Sequence, residues 1–233
     1  MGSPLIIALD FDNQYKALEI VDKLNPATCS LKVGSEMFTL YGPSFVKQLI
    51  KQNFKVFLDL KFHDIPNTVA NACKAAADLG VWMMNVHASG GMQMMEAAYH
   101  AIQGFGPDRP LLIAVTVLTS FSDDELLSIG INHSSLEHVS KLALLAKNSG
   151  LDGVVSSAHE VKIIKEQCGS DFITVTPGIR LAHDCNDDQY RIMTPQLALI
   201  EGTDYLVIGR SITRSSNPSE TILNILSDCQ ILK

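Results

Sequence analysis

Two carboxylates and one ammonium group lie within six residues, from Asp59 to Asp64, directly after the apolar run 56–58. If this run is a β-strand, the alternation of side chains points Asp59 and Lys61 to one face and the neighbouring leucines to the other. Charged groups on the inner face of a strand are costly to bury unless they are paired, and they occur often in active sites. The pattern indicates either a charged catalytic site or a local ion pair at a solvated strand end.

Length and composition limit the class of protein. A chain of 233 residues with 46% hydrophobic content is typical of one α/β barrel, so we expect a single domain over residues 1–233. The net charge of −7 and the pI near 5.4 argue against a nucleic-acid-binding surface.

Cysteine spacing and the N-terminal sequence predict the compartment. The five cysteines form no Cys-x-x-Cys pair and no zinc-ligand spacing, which favours reduced thiols and no metal site. We find no signal-peptide pattern, no myristoylation motif and no apolar stretch of membrane-spanning length. We therefore expect a cytoplasmic protein without a membrane partner.

Short apolar runs recur along the chain and predict eight strands. They are Leu5–Leu9, Leu31–Val33, Val56–Leu60, Trp82–Val86, Leu111–Leu118, Gly153–Ser156, Phe172–Val175 and Tyr205–Ile208. Segments with helical spacing separate most of them, for example 67–79 before Gly80. Eight such units favour an α/β fold of the (β/α)8 TIM-barrel type, although a doubly wound open sheet has the same local pattern. No Gly-x-Gly-x-x-Gly or Walker loop is present.

Polar residues follow several of these strands, where a barrel carries its active site. Lys32, Asp59, Lys61 and Asp64 would give an alternating set of charges in one concave site, in which each ion stabilises its neighbours. Taken singly, Lys32 also fits a lysine that reaches solvent. His87 also ends a strand, but a histidine there is more often a hydrogen-bonded structural residue than a base, so neither His87 nor His63 is among the predicted site residues.

The segments after the seventh and eighth strands predict an anion site. Gly178 and Gly209 would let backbone N–H groups approach a phosphate, and Arg180 and Arg210 would supply positive charge. The alternative is that both arginines form surface ion pairs. A phosphorylated small molecule is the expected ligand.

Together these residues resemble the orotidine 5'-monophosphate decarboxylase family over nearly the whole chain. The longest matching motif is Asp59-Leu60-Lys61-Phe62-His63-Asp64-Ile65-Pro66-Asn67-Thr68, and shorter ones are 9–10, 31–34, 116–120, 176–180 and 208–210. The resemblance implies an enzyme of pyrimidine synthesis that converts orotidine 5'-monophosphate to UMP.

The resemblance also implies roles for individual residues. It implies a homodimer with shared sites, in which Asp64, Ile65 and Thr68 reach the neighbouring subunit's site. Asp10 and Lys32 would lie near the ribose, Thr119 at the pyrimidine amide and Pro177 against the base. The phosphate would meet Gln189, Gly209, Arg210 and Arg180, with 181–191 as a closing loop.

The chemistry implied is a decarboxylation without a cofactor. Loss of CO₂ from C6 leaves a carbanion, and we expect Asp59 to face the substrate carboxylate while Lys61 stabilises the carbanion and protonates it. Two other functions fit part of the pattern. One is a Mg²⁺-dependent sugar-phosphate enzyme of the same superfamily, which shares Asp-x-Lys-x-x-Asp, and the other is a nucleotide-binding protein without activity.

Overall fold

A closed barrel of eight parallel strands forms the centre of the molecule. The computed structural model describes residues 3–181 and 192–230. Each strand pairs with the next in the chain, and β8 pairs with β1. The strands are β1 (Leu5–Leu9), β2 (Ser30–Gly34), β3 (Val56–Phe62), β4 (Met83–His87), β5 (Leu111–Val115), β6 (Gly153–Val155), β7 (Ile173–Thr176) and β8 (Tyr205–Ile208).

Helices surround the barrel and connect its strands. Those among the described residues are α1 (Gln14–Val21), α2 (Ser35–Lys51), α3 (Pro66–Asp78), α4 (Met92–Ile102), α5 (Asp123–Ser128), α6 (Ser135–Asn148), α7 (Val161–Cys168), α8 (Pro195–Ile200), α9 (Arg210–Thr213) and α10 (Pro218–Gln230). Short 3-10 segments lie at Ala88–Gly90, Gln103–Asp108 and Ala158–Glu160. The α/β (β/α)8 TIM-barrel prediction is confirmed, and the open-sheet alternative is wrong because β8 closes onto β1.

The predicted strand boundaries hold closely, with one larger difference at β5. The strand ends at Val115 rather than at Leu118. The N–H and the hydroxyl of Thr116 both donate to the Val155 carbonyl, at 3.2 and 2.8 Å, and the Leu118 carbonyl accepts the Phe121 N–H in a turn. Val117 and Leu118 then line a cavity rather than a sheet, which explains why the apolar run is longer than the strand.

Side chains that alternate along the strands pack into two apolar clusters, one outside the barrel and one inside it. The larger cluster lies between the strands and the helices and includes Leu58 and Val86. The smaller one comprises Ile6, Ala8, Phe57, Met83, Ile113, Val175 and Val207, with Trp82 and Tyr205 packed against it, and it consists mainly of inward-facing residues of the barrel. Phe57 belongs to this cluster and points inward from β3. Asp59, two residues later, therefore lies on the same inward face.

Ion pairs close the amino-terminal end of the barrel. Arg109 donates to both carboxylate oxygens of Asp152 at 2.7 Å, and Asp152 also accepts the Leu112 N–H at 2.8 Å. Asp204 has the corresponding position before β8, where it accepts from Lys165 at 2.6 Å. These contacts tie adjacent strands together far from the opposite, carboxyl-terminal rim.

The described residues bear on two expectations from composition, the membrane span and the cysteines. Within them, no helix is both long and apolar enough to span a bilayer. The cysteines at 29, 73, 168 and 229 are free and buried, and burial raises the pKa of the Cys29 and Cys73 thiols to about 12. Cys185 lies outside the described part of the chain. The division of residues 1–233 into one domain stays a prediction.

Candidate active site

A cavity of about 690 Å³ opens at the carboxyl-terminal ends of the strands. Predicted site residues that line it are Asp10, Lys32, Asp59, Lys61, Thr119, Pro177, Arg180, Gly209 and Arg210. Residues that lie in or after six different strands thus meet at one rim, because the barrel closes. Its wall also contains Phe57, Val115, Val155 and Val207, which sequence reasoning did not select.

A chain of alternating charges lies along one wall of this cavity. Lys32 Nζ lies 3.3 Å from Asp10 Oδ1 and 3.2 Å from Asp59 Oδ2. Lys61 Nζ lies 2.7 Å from Asp59 Oδ1. Asp59 therefore uses one carboxylate oxygen for each lysine, and the alternating charges run Asp10–Lys32–Asp59–Lys61, with Asp10 rather than the predicted Asp64 as the fourth member.

Burial differs along this chain of charges. The side chains of Lys32 and Asp59 are 11% and 10% exposed, whereas that of Lys61 is 33% exposed. Of the Asp59–Lys61 pair, the ammonium group is thus the more accessible member and is placed at the cavity surface. A ligand that enters the cavity can contact Lys61 without displacing it from Asp59.

The pKa shifts keep the buried pair charged. Burial alone would raise the pKa of Asp59, but Lys32, Lys61 and the hydrogen bond from Asn85 bring it below its ordinary value. Burial alone would lower the pKa of Lys32, but Asp59 and Asp10 raise it above its ordinary value. Each ion is stabilised by the others, so the charges persist despite their low exposure.

The backbone of β3 is irregular where it carries these residues. Leu58 pairs with Met84 and Phe62 pairs with Val86, so three residues, 59–61, lie opposite the single residue Asn85. Lys61 has a φ of 53°, a left-handed conformation that costs a non-glycine residue roughly 1–2 kcal/mol. The prediction that Asp59 and Lys61 share a face is confirmed, but a bulge rather than plain alternation brings their charged groups together.

Asn85 is the main site residue that sequence reasoning missed. Its Nδ2 donates to Asp59 Oδ1 at 2.7 Å, and its Oδ1 accepts the Lys61 N–H at 2.8 Å. The residue is fully buried behind the cavity wall. One signal was available: an amide at an inward position of the apolar run 82–86 must have polar partners.

The segments after β5, β7 and β8 complete the cavity. Thr119 is buried in its wall beside Ser120, although it lies four residues beyond the end of β5 rather than at its end. Gly178 has a φ of 78°, which favours glycine strongly. Gly209 has a negative φ, so its place in the cavity wall does not depend on a left-handed backbone. Arg180 and Arg210 both reach the cavity.

Three predicted residues lie apart from this cavity in the single chain. Asp64, Ile65 and Thr68 are exposed, and they are absent from the cavity lining of the described residues. The side chain of Asp64 accepts the Ile65 N–H at 2.6 Å. Asp64 therefore does not join Lys32, Asp59 and Lys61 within one chain. Gln189, and the expected closing loop apart from Leu181, lie outside the described residues.

The cavity is positive although the chain is acidic. Six basic side chains line its described part, at positions 16, 32, 61, 180, 210 and 214, against four acidic ones at 10, 12, 36 and 59. Such a concentration of cations attracts anionic ligands. Within the described residues, no group of three or more His, Cys, Asp or Glu side chains is arranged to hold a metal ion.

His87 and His63 lie beside the site. Their ring centroids are 5.5 Å apart, and neither is in the described cavity wall. Burial, together with the nearby His63 and Lys61, lowers the pKa of His87. The omission of both histidines from the predicted site agrees with their positions.

A closed (β/α)8 barrel with an ionised Asp–Lys network and an anion-attracting cavity at the carboxyl ends of its strands belongs to the barrel enzymes. A sequence model of the "Orotidine 5'-phosphate decarboxylase / HUMPS family" matches residues 3–225. The chain belongs to this family.

Relatives match the chain over its length. The orotidine 5'-phosphate decarboxylase of Legionella pneumophila (strain Paris) is 64% identical over 228 residues, covering 98% of this chain and 100% of the relative. That of Pectobacterium carotovorum is 58% identical, covering 97% and 91%. The crystal structure of orotidine 5'-phosphate decarboxylase from Lactobacillus acidophilus has a TM-score of 0.87 at 42% identity, covering 97% and 99%.

Proposed function

We propose that this protein decarboxylates orotidine 5'-monophosphate to UMP and CO₂ in pyrimidine synthesis, without a metal or organic cofactor. Membership of the family and the shared name of relatives at 58–64% identity support the reaction. The observation that carries the mechanism is the Lys32–Asp59–Lys61 arrangement, with its more exposed ammonium group at the cavity surface.

The charge network supports a carbanion mechanism. The bond between C6 and the carboxylate carbon breaks, CO₂ leaves, and the electron pair stays on C6. Lys61 stabilises this developing negative charge as a fixed cation and then transfers a proton to C6. The neutral amine regains a proton from solvent before the next turnover.

Asp59 has two tasks in this proposal. It keeps Lys61 charged and oriented at 2.7 Å, and its ionised carboxylate faces the carboxylate of the substrate, which disfavours the ground state. Lys32 balances Asp59 from the other side at 3.2 Å. The Asp59 carboxylate is thereby held in place, and the two lysines balance its negative charge.

We assign the following binding residues from the family resemblance, and those among the described residues line the cavity. Asp10 and Lys32 take the ribose hydroxyls, Thr119 the pyrimidine amide and Pro177 the face of the base. Arg180, Gly209, Arg210 and Gln189 take the phosphate. The positive cavity wall supports a dianionic ligand, and binding energy from the phosphate is then available for the chemical step.

The active form is a cytoplasmic homodimer in this proposal. The exposure of Asp64, Ile65 and Thr68 at the carboxyl end of β3 and the start of α3 supports a surface that completes the site of a second copy. Ile65 is 66% exposed and offers apolar area that a second copy would cover.

The test is the conversion of orotidine 5'-monophosphate to UMP by purified protein in excess EDTA, followed by absorbance and by chromatography of the product. We expect turnover that EDTA does not change. Turnover that needs added Mg²⁺, or activity on a sugar phosphate only, would favour the metal-dependent enzyme of the same superfamily. Binding of UMP without turnover would favour a non-catalytic nucleotide-binding protein.

A further inference from the structure

We propose that Asn85 is a positioning residue that sets the geometry of Asp59 and Lys61 through one side-chain amide. This inference rests on the proposed decarboxylase function. Asn85 lies on β4 behind the cavity wall and is fully buried, so it acts through its two neighbours rather than on a substrate.

The bulge in β3 creates the need for this residue. Residues 59–61 face a single residue of β4, so the Lys61 N–H lacks the strand–strand partner that a regular ladder supplies. The side-chain oxygen Oδ1 of Asn85 accepts that N–H at 2.8 Å. The side chain thus replaces a backbone acceptor at the residue whose backbone is left-handed.

The other half of the amide holds the carboxylate. Asn85 Nδ2 donates to Asp59 Oδ1 at 2.7 Å, and the same oxygen accepts from Lys61 Nζ at 2.7 Å. Asp59 Oδ2 then faces Lys32 at 3.2 Å. A donor at this position selects the carboxylate rotation that gives one oxygen to each lysine.

The chemistry of the two partners makes an amide the fitting group. An ionised carboxylate only accepts, and a backbone N–H only donates, so the connecting side chain must donate at one end and accept at the other. This requirement also defines which atom of the amide is nitrogen. Leucine offers neither function, and an ionised aspartate offers no donor.

The experiment compares Asn85→Leu and Asn85→Asp with Thr176→Val as the matched control. Thr176 is a fully buried polar residue at the end of β7, its hydroxyl pairs with Thr203 at 3.1 Å, and it does not line the described cavity. All variants are first checked for folding by circular dichroism and for binding of UMP.

We expect Asn85→Leu to reduce kcat by about 100-fold, the scale for a displaced catalytic group, while its affinity for UMP stays near that of the wild type. Thr176→Val should lose thermal stability but keep its kcat. A normal kcat in folded Asn85→Leu would overturn the inference. So would a loss of UMP affinity as large as the loss of kcat, since that indicates general damage to the site.

The pH profile separates positioning from space-filling. The new carboxyl of Asn85→Asp can donate and accept only when it is protonated, so its kcat relative to that of Asn85→Leu should rise as the pH falls. A ratio that does not change with pH would contradict the inference, because a space-filling role has no such dependence.

A second readout does not require turnover. Removal of the Asn85 donor should raise the pKa of the Asp59 carboxyl, which 13C NMR of the labelled protein measures directly. A wild-type protein that fails to convert orotidine 5'-monophosphate would refute the proposed function. The Asp59 titration would then still decide the inference: a raised pKa in Asn85→Leu supports it and an unchanged pKa overturns it.

Discussion

Lys61 Nζ lies 2.7 Å from Asp59 Oδ1, although the two residues are separated by a single residue on a strand that bulges between them. In a regular strand, side chains two residues apart stand side by side but do not converge. The left-handed backbone at Lys61 turns its ammonium group toward the carboxylate, and this contact is the centre of the proposed mechanism.

Replacement of Lys61 by alanine should nearly abolish decarboxylation. The change removes both the cation and the proton donor, so we expect kcat to fall roughly 10⁴-fold or more, as measured by the conversion of orotidine 5'-monophosphate. Lys141→Ala is the control, because Lys141 is exposed and pairs with surface groups such as Glu137 at 2.8 Å. Substantial turnover by Lys61→Ala would refute the mechanism.

Replacement of Arg210 by alanine should reduce kcat/KM for the phosphorylated substrate. Loss of a charge contact to the phosphate costs on the order of 2 to 5 kcal/mol of transition-state stabilisation. Orotidine, which lacks the phosphate, should be turned over equally by the variant and the wild type. An equal loss for both substrates would assign Arg210 to the fold rather than to phosphate binding.

Mixing two inactive variants should restore activity if sites are shared between subunits. In this proposal each site takes Lys61 from one subunit and Asp64 from the other. A dimer of one Lys61→Ala subunit and one Asp64→Ala subunit therefore has one site with both native residues and one site with neither. Random exchange of subunits in a twofold dimer would then restore about a quarter of the wild-type activity. Sedimentation should show dimers throughout, and a mixture that stays inactive despite hybrid formation would place Asp64 outside the partner's site.

Replacement of Arg109 by alanine should lower stability without changing the chemistry. Arg109 donates twice to Asp152 at 2.7 Å, at the end of the barrel opposite the cavity. We expect the free energy of unfolding in urea to fall by roughly 2 to 3 kcal/mol, as for hydrogen bonds between charged groups. The folded variant should keep its kcat, whereas a proportionate loss of kcat would connect this ion pair to the site.

Stability should depend on the protonation of His87 at mildly acidic pH. Burial, with His63 and Lys61 nearby, lowers its pKa below the ordinary value of 6.5, so the unfolded chain binds a proton more readily. Protonation therefore favours unfolding, and stability falls as the pH drops below 6.5 toward the folded-state pKa. His87→Gln should show a shallower decline of the unfolding free energy over this range, and identical slopes would contradict the assignment.

The buried network should also respond at the extremes of pH. The stability that Asp59 contributes is present above pH 3.8, the ordinary pKa of an aspartate, and is lost as the pH falls through the lowered pKa of Asp59. The stability that Lys32 contributes is present below pH 10.5, the ordinary pKa of a lysine, and is lost as the pH rises through the raised pKa of Lys32. Unfolding free energies of wild type and Lys32→Met should therefore converge at high pH and differ between these limits.

The sequence by itself determined the eight strands and most of the rim residues, and the count of eight favoured a barrel over an open sheet. Strand runs and their alternation are local properties, so the eight strands could be predicted closely, and Asp59 and Lys61 could be assigned to one face. The placement of polar residues after strands then predicted which groups line one cavity, because parallel strands in a closed barrel end at the same rim.

The tertiary structure decided the contacts that depend on register. The pairing of Asn85 with Asp59 and Lys61 spans 26 and 24 residues of chain and exists only because β3 bulges opposite β4. The hydrogen bonds of Thr116, just past the end of β5, likewise depend on the Val155 carbonyl of a neighbouring strand. Register is a property of the closed sheet, and the alternation pattern of one strand contains no information on where its neighbour's carbonyl and amide groups will lie.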